Sequence, residues 1–335
     1  MTAAGLKSPP SSSLSSFINL AAILARVPAE TVDRLCRTMA ISTERRQGRS
    51  TLNNDGSPLQ ICVGLGRAGT PPAIRLIADP AAAGHDTAER FRFMERALDN
   101  VLASHGPRME PLCRSVLEQL LPSDSATRMA LANGSAWLAA NLRGQGLALY
   151  TTAKWGDPAV RWRRLRGWLD IVLPDATVAR EVLIRLSPHA IPVSVGVEGA
   201  SPRDARAKIY WRLGGSAGLD ALGIPLLAAP EIAEFLSRAV GDRRIPIAAV
   251  VGSVSFHLAN GALSDVKLDL CGHCVQRSWR DWSAILRQCS ARYGLTEFPF
   301  ADPGQAVETA FVGFGLGSNL TPRLNIYLKP KDRLP

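Results

Sequence analysis

Residues 201–213 read SPRDARAKIYWRL, and the second half of this stretch alternates between polar and apolar side chains. Side chains of a β-strand point alternately to opposite faces of the sheet. One face of this strand would carry Arg206, Lys208, Tyr210 and Arg212. The other face would carry Ala207, Ile209 and Trp211. The stretch therefore predicts a strand with one cationic, tyrosine-bearing face and one apolar face.

Four other segments repeat this pattern, each with a polar or small residue, an aliphatic residue and often a tyrosine. They read AIRLIA at 73–78, LALYTT at 147–152, VKLDLC at 266–271 and LNIYLK at 324–329. The polar face of the first segment would carry Arg75, and that of the second Ala148, Tyr150, Thr152 and, just beyond it, Lys154. The polar face of the third would carry Asp265, Lys267, Asp269 and Cys271, and that of the fourth Arg323, Asn325, Tyr327 and Lys329. Such a repeat indicates one structural unit that is used several times.

Helical stretches alternate with strand pairs along the chain. The periodicity predicts helices at 29–41, 87–103, 108–121, 176–186, 229–239 and 279–293. It predicts strands at 57–66, 71–80, 146–155, 191–198, 204–213, 248–258, 264–271, 307–316 and 323–329. This order is neither a strict strand–helix alternation nor all-β, so it predicts an α+β fold.

Two domain-level predictions follow from composition. The Ser- and Pro-rich residues 8–17 predict a disordered leader over residues 1–17. No change of composition divides the remainder, so residues 18–335 are predicted to form a single domain.

The chain is basic, with 39 Lys and Arg against 29 Asp and Glu and a net charge of +10. This excess calls for an anionic partner, which could be a nucleic acid, an acidic surface or a phosphorylated small molecule. Neither a secretory signal nor a membrane-spanning segment is predicted, and the six cysteines are too scattered for a disulfide framework. These features predict a cytoplasmic protein that does not associate with membranes.

The basic strand faces allow two interpretations: they face solvent, or they line the inside of a closed barrel whose outer face is covered by helices. The recurring tyrosines and the aliphatic opposite faces favour the barrel. Lys and Arg buried inside a barrel need an anion, and a diphosphate suits both side chains. Tyrosine rings beside them can stabilise a cation. Cations for a departing diphosphate, together with aromatic rings for a carbocation, indicate prenyl transfer.

No metal site is predicted. The chain contains no Asp-Asp dipeptide of the kind that holds a metal-bridged diphosphate. Cys271, His273 and Cys274 resemble half of a zinc site, but a second ligand pair is missing.

Several segments resemble the dimethylallyltryptophan synthase family of ABBA-type prenyltransferases. They are residues 57–80 (SPLQICVGLGRAGTPPAIRLIADP), 201–213 (SPRDARAKIYWRL), 266–270 (VKLDL) and 323–330 (RLNIYLKP). The resemblance extends over about residues 57–330. It implies five ααββ units that close a ten-stranded antiparallel barrel with helices outside. It also implies prenylation of indoles, tyrosine, other aromatics or peptide side chains without a cofactor and without a requirement for Mg²⁺.

The resemblance also assigns roles to individual residues. It implies that the diphosphate is bound by Arg75, Lys208 and Lys267, with Arg206 on the same strand as Lys208. Arg323 and Asn325, on the polar face of the last strand, are also predicted to bind it. It implies that the allylic cation is shielded by Tyr150, Tyr210 and Tyr327. The family has a lysine where this chain has Ala148, and Lys154 on the same strand face could substitute for it.

Gln60 stands where the family has a glutamate that binds the N–H of the acceptor and acts as base. An amide can accept a hydrogen bond but takes no proton near neutral pH. Gln60 is therefore predicted to position the acceptor while another group removes the proton. Asp269, His257 and Glu198 are the candidates.

The sequence thus predicts metal-independent transfer of a dimethylallyl or geranyl group from its diphosphate to an aromatic small molecule or a peptide side chain. The alternative is a basic nucleic-acid-binding protein, for which residues 161–166 (RWRRLR) are the best support. Because the polar strand faces lie opposite aliphatic ones, nucleic acid is the less favoured partner.

Overall fold

Ten strands of the described residues close into one antiparallel barrel. The computed structural model describes residues 12–41, 50–84, 86–123, 136–214, 218–299 and 307–331. The strands are β1 Leu59–Leu65, β2 Ala73–Ala78, β3 Ala136–Asn141, β4 Leu147–Thr152, β5 Ala190–Gly199, β6 Arg206–Leu213, β7 Val250–His257, β8 Leu263–Cys271, β9 Val307–Gly317 and β10 Pro322–Pro330. Each pairs with its sequence neighbours, and β1 pairs with β10, which closes the barrel.

Helical segments precede the strand pairs. The α-helices are α1 Ser12–Ala25, α2 Ala29–Thr38, α3 Thr87–His105, α4 Glu110–Leu120, α5 Pro158–Val172, α6 Thr177–Leu186, α7 Pro230–Val240, α8 Gly272–Val275 and α9 Trp279–Tyr293. Short 3₁₀ turns lie at Pro80–Ala83, Pro107–Met109, Asp220–Leu222, Pro225–Ala228 and Ile247–Ala249. The predicted ααββ barrel is confirmed. Between β6 and β7, the described part of the chain has three of these turns and a single α-helix.

Side-chain caps set the start of several helices. The carboxylates of Asp86 and Asp157 accept from the backbone N–H groups of Glu89 and Val160, and the Ser278 hydroxyl accepts from that of Asp281. Such contacts satisfy donors that a helix leaves free in its first turn.

The apolar core lies between the helices and the outer face of the barrel. Ile209 and Trp211 of β6 are fully buried there. The indole of Trp211 lies over Gly252 of β7, where a Cβ atom would come within 2.1 Å of the ring. Burying one large apolar side chain contributes about 1.5–3 kcal/mol, so these outward faces stabilise the closed barrel. The polar faces are consequently turned inward.

The structure corrects two predictions. Residues 12–17 of the predicted leader belong to α1, and Leu14 and Phe17 are buried because they pack on the core as part of an apolar helix face. Residues 1–11 lie outside the described residues. Strand β3 and helix α5 were absent from the predicted element order. The single domain over residues 18–335 stays a prediction.

Candidate functional site

The barrel encloses a cavity of about 520 Å³ at the end where the two strands of each pair turn into one another. Its ionisable lining residues are Arg75, Glu198, Asp204, Arg206, His257 and Arg323. Asn141, Gln145 and Asn325 add side-chain amides to the lining. The three guanidinium groups come from β2, β6 and β10, so distant parts of the chain build one cationic surface. We call this space the polar cavity.

A second cavity, of about 170 Å³, lies toward the opposite end of the barrel. Its aromatic lining consists of Trp137, Tyr150, Tyr210, Phe311 and Tyr327. Gln60 and Asp269 are among its polar lining residues. The rings of Tyr150 and Tyr210 meet edge to face, with centroids 5.7 Å apart. We call this space the aromatic cavity.

Two lysines occupy the layer between the cavities. Lys208 and Lys267 are 2% and 0% exposed. The Lys208 Nζ lies 5.5 Å from the centre of the Tyr210 ring, and the Lys267 Nζ lies 4.9 Å from that of Tyr327. The Lys267 Nζ also donates a hydrogen bond of 2.7 Å to the hydroxyl of Tyr327. Cationic amines and tyrosine rings therefore share one buried layer.

The pKa of Lys208 is lowered to about 7. Burial is the main cause, and the charges of Lys267 and Arg323 act in the same direction. Glu198 opposes the shift. Near neutral pH this amine is therefore poised to gain or lose a proton when the charge around it changes.

Glu198 is the centre of an ion-pair network at the polar cavity. Its carboxylate accepts a hydrogen bond of 2.7 Å from the Tyr150 hydroxyl and one of 3.1 Å from Arg75. It also pairs with Arg206 and lies 3.8 Å from the Lys208 Nζ. Burial alone would raise the pKa of Glu198, but these cations outweigh it and hold the pKa well below its usual range.

Asp265 is a second buried carboxylate in the same network. It accepts from Arg206 at 2.6 Å and from the Ser255 hydroxyl at 3.0 Å, and it pairs with Arg323. Burial would raise the pKa of Asp265, but the charges of Arg323, Lys208 and Arg206 lower it below its ordinary value. Both carboxylates are therefore anionic at neutral pH.

Asp269 places a carboxylate at the aromatic cavity. One of its oxygens, Oδ2, lies 2.5 Å from the Lys267 Nζ. The other, Oδ1, is buried and has no hydrogen-bond partner among the described residues. Gly313 of β9 leaves room for it, because a Cβ atom there would lie 2.0 Å from Oδ1. One carboxylate oxygen of Asp269 is therefore left without a hydrogen-bond partner among the described residues.

Asn53 fixes the orientation of the Gln60 amide. The Asn53 side-chain nitrogen donates to the Ser57 carbonyl at 2.8 Å and to the Leu59 carbonyl at 3.1 Å, so its oxygen can only accept. The Gln60 Nε2 donates to that oxygen at 2.6 Å. The Gln60 Oε1 is therefore the atom left to accept a hydrogen bond from a molecule in the aromatic cavity.

Comparison with solved structures identifies the architecture. The 5-dimethylallyltryptophan synthase of Streptomyces coelicolor superposes with a TM-score of 0.74 at 15% identity, covering 97% of this chain and 99% of that one. The 6-dimethylallyltryptophan synthase of Micromonospora olivasterospora, in complex with DMASPP and Trp, gives 0.72 at 16% identity, with 95% and 96% covered. AnaPT of Neosartorya fischeri gives 0.65 at 12% identity, with 96% and 95% covered. This chain has the ABBA prenyltransferase fold.

The comparisons by sequence find no relative of the chain. No family model matches it, and no curated protein matches it. The likeness to the ABBA barrels is therefore one of backbone architecture, and the chemistry has to be argued from the side chains inside this barrel.

The ABBA barrel brings together most of the residues that the sequence singled out. Those at or next to the polar cavity are Arg75, Arg206, Lys208, Arg323 and Asn325. Those at or next to the aromatic cavity are Gln60, Tyr150, Tyr210, Lys267, Asp269 and Tyr327. Their roles in binding a ligand stay predictions, but the structure places all of them inside one barrel.

Lys154 lies apart from the other predicted diphosphate ligands, so the structure does not bring it to their site. Lys154 was expected to take over the role of the lysine that the family has at the position of Ala148. Ala148 pairs with Glu198, which lines the polar cavity. Lys154 follows six residues later, beyond the end of β4, and is exposed. Six extended residues span about 20 Å, which carries its amine to the opposite end of the barrel.

The three candidate bases are separated by the structure. Only Asp269 lines the aromatic cavity, whereas Glu198 and His257 line the polar one. Asp269 is consequently the candidate that a molecule in the aromatic cavity could reach.

Sequence reasoning missed several residues of the site. Asn53, Trp137 and Phe311 were not singled out, and neither was the ion-pair role of Glu198 and Asp265. A polar residue on the polar face of a predicted barrel strand is expected to point inward. The sequence does not give its partner, because that depends on how the strands are aligned.

The nucleic-acid alternative required the cationic strand faces to be exposed. Lys208 and Lys267 are buried inside the barrel, and Arg75, Arg206 and Arg323 are held in ion pairs with internal carboxylates. In the basic segment 161–166, the Arg164 guanidinium stacks 3.0 Å from the centre of the Trp155 ring, and Trp162 is buried. These positions remove the exposed basic strand face on which the alternative depended.

Across the described ranges, no group of three or more His, Cys, Asp and Glu side chains is arranged to hold a metal ion. Asp265 and Asp269, four residues apart on β8, contact cationic side chains instead. None of the described helices has both the length and the apolar composition needed to cross a membrane.

Proposed function

We propose that this protein transfers a prenyl group, dimethylallyl or geranyl, from its diphosphate to an electron-rich aromatic acceptor. The acceptor is an indole- or phenol-type small molecule or a peptide side chain. The observation that carries the proposal is the buried layer in which Lys208 and Lys267 meet Tyr210 and Tyr327. An arginine-lined cavity adjoins this layer on one side and an aromatic cavity on the other.

In the first step the bond between the allylic carbon and the diphosphate oxygen breaks, and its electron pair leaves with the diphosphate. Arg75, Arg206 and Lys208 would stabilise the charge that develops on this leaving group. The faces of Tyr150, Tyr210 and Tyr327 would stabilise the allylic carbocation. Because the layer is buried, little water is available to capture that cation.

In the second step a ring carbon of the acceptor attacks the carbocation and forms the new carbon–carbon bond. The same ring carbon then loses its proton. The free Oδ1 of Asp269 is the proposed proton acceptor. The Gln60 Oε1 would accept a hydrogen bond from an acceptor N–H or O–H and so position the ring.

Two features support this assignment. The S. coelicolor and M. olivasterospora enzymes, which share the ABBA fold, have been crystallised with DMASPP and Trp. The cationic and aromatic side chains of this chain lie inside the barrel, where both a donor and an acceptor could be enclosed.

We further propose that the reaction needs no Mg²⁺ and no cofactor, because the arginines and Lys208 would supply the positive charge. The cytoplasm stays the predicted location.

The test is mass spectrometry of the purified protein with dimethylallyl or geranyl diphosphate and a panel of acceptors, with and without EDTA. The panel holds tryptophan, tyrosine, indole compounds and short peptides that contain Trp, Tyr, His or Arg. We expect one acceptor to gain a single prenyl unit at an equal rate in EDTA. A product that disappears in EDTA would contradict metal independence.

The absence of any product, together with no binding of either diphosphate, would contradict the whole proposal. Salt-dependent binding of nucleic acid would then be the next property to measure.

A further inference from the structure

The Glu198 carboxylate is surrounded by the same side chains that are proposed to bind the donor diphosphate. Arg75 donates to it at 3.1 Å, Tyr150 donates to it at 2.7 Å, and Arg206 pairs with its other oxygen. The Lys208 Nζ lies 3.8 Å away. Two guanidinium groups, an ammonium and a tyrosine hydroxyl around one anionic group are what a phosphate would also require.

The position of Glu198 in the barrel makes it part of the polar cavity. Its side chain is only 5% exposed, yet it is one of the residues that line the cavity. Its partner position on β4 is Ala148, which brings no charge, and its partner position on β6 is Arg206. No hydrophobic wall separates the carboxylate from the cavity, so an anion entering there would meet the negative charge of Glu198 directly.

Asp265 extends the same arrangement. It pairs with Arg206 and Arg323, which also line the polar cavity. The cluster around the cavity therefore holds four cations, namely Arg75, Arg206, Lys208 and Arg323, against two carboxylates, namely Glu198 and Asp265. Asp204 also lines the cavity, and Lys208 carries a full charge only below its pKa of about 7, so Glu198 and Asp265 cancel a large part of the positive charge that a diphosphate would meet.

We infer that Glu198, assisted by Asp265, is an internal counter-ion that takes the place of a phosphate group and competes with the donor diphosphate for Arg75, Arg206 and Lys208. This inference rests on the proposed function, because it concerns the anion that the polar cavity binds. The carboxylates keep the arginines in binding geometry and prevent their mutual repulsion. They also weaken the hold on diphosphate, which favours release of the product after prenyl transfer.

Calorimetric titration with inorganic diphosphate tests the inference on the full chain. The variants are Glu198→Gln and Asp265→Asn, which keep the shape of each side chain and remove its charge. Charges a few ångströms apart in a partly buried site interact strongly, so each variant should bind diphosphate at least about tenfold more tightly than the wild type. Glu234→Gln is the matched control, because Glu234 pairs with Arg238 on the protein surface, and it should leave binding unchanged.

Thermal unfolding is a second measurement, which keeps the inference testable if a variant is less stable than the wild type. Without diphosphate, Glu198→Gln should unfold at a lower temperature than the wild type, because buried Lys208 loses its partner. Saturating diphosphate should raise the unfolding temperature of this variant by more than it raises that of the wild type.

Two outcomes separate this inference from the proposed function. If the wild type binds diphosphate but the variants bind it equally or more weakly, the counter-ion inference is overturned and the prenyltransferase proposal stands. If the wild type binds no diphosphate at all, the proposed function fails and the inference fails with it.

Discussion

Replacement of Asp269 by Asn tests the proposed base most directly. The amide has nearly the same shape as the carboxylate but cannot take up a proton under the reaction conditions. Loss of a positioned general base lowers a rate by about 10²–10⁴-fold, which corresponds to roughly 3–5 kcal/mol in the activation free energy. Because the arginines of the polar cavity are untouched and only Lys267 among the predicted diphosphate ligands contacts Asp269, the KM for the prenyl diphosphate should change less than kcat.

The same change also affects stability. The Asp269 carboxylate lies 2.5 Å from the Nζ of Lys267, which is fully buried. In the variant Lys267 loses this ion pair and keeps its hydrogen bond to the Tyr327 hydroxyl. Breaking a buried ion pair by removing one partner costs about 3–5 kcal/mol, and a neutral amide that still accepts a hydrogen bond should reduce that cost. The unfolding temperature is therefore expected to fall by several degrees.

The assay is the initial rate of product formation by liquid chromatography and mass spectrometry at saturating donor and acceptor, below the unfolding temperature of the variant. Asp55→Asn is the matched control, since Asp55 pairs with buried Lys329 at 2.7 Å but does not line the aromatic cavity. It should lose stability without a comparable loss of kcat. A kcat for Asp269→Asn within about threefold of the wild type would refute Asp269 as the base.

Three further predictions concern the layer between the cavities and its neighbours. Gln60→Glu should gain activity on free tryptophan in the acceptor panel, since it adds a carboxylate to the aromatic cavity; an unchanged range of acceptors would count against Gln60 as the positioning group. Tyr210→Leu should lower kcat by about 10–30-fold through loss of cation–π stabilisation of about 2 kcal/mol, whereas Tyr210→Phe should retain most of the rate, as measured in the same product assay. Lys208, whose pKa is lowered to about 7, should take up part of a proton when inorganic diphosphate binds at pH 8, seen as calorimetric heats that depend on the buffer; Lys208→Met should reduce this uptake.

The lowered pKa of Lys208 also fixes the sign of a contribution to stability. Between its folded pKa of about 7 and its ordinary value near 10.5, the unfolded chain binds more protons at this residue than the folded chain does. The contribution of this residue to the free energy of unfolding therefore rises with pH across that window, and it is lost as the pH falls toward 7. Comparison of wild type with Lys208→Met across this window isolates the contribution, and parallel pH profiles would contradict it.

The helix and strand pattern was predictable where side-chain periodicity was clear. Helix α9 was predicted at its observed bounds, and β6 within two residues. Strand β3 was missed because its sequence, AWLAAN, has too little polar alternation to indicate a face. Residues 12–17, predicted as part of a disordered leader, form the start of helix α1 because burial of Leu14 and Phe17 against the barrel outweighs the weak helix preference of the serines around them.

The sequence by itself determined which side chains share one face of a strand. The two-residue period of a strand assigns Arg206, Lys208 and Tyr210 to one face, and an apolar opposite face requires a covering layer of helices. Together with the recurring tyrosines, those two facts favour a helix-covered barrel with a cationic interior over basic strand faces that point into solvent.

Only the tertiary structure decided how far along the barrel each of these side chains lies and which partner it meets. Lys154 was predicted to share a strand face with Tyr150, yet it follows the end of β4 and lies at the opposite end of the barrel from the polar cavity. Glu198 contacts Arg75 across 123 positions of sequence, and Gly313 makes room for the Asp269 carboxylate across 44. Such pairings depend on the alignment of all ten strands around the closed barrel, and a periodicity that repeats every two residues carries no information about that alignment.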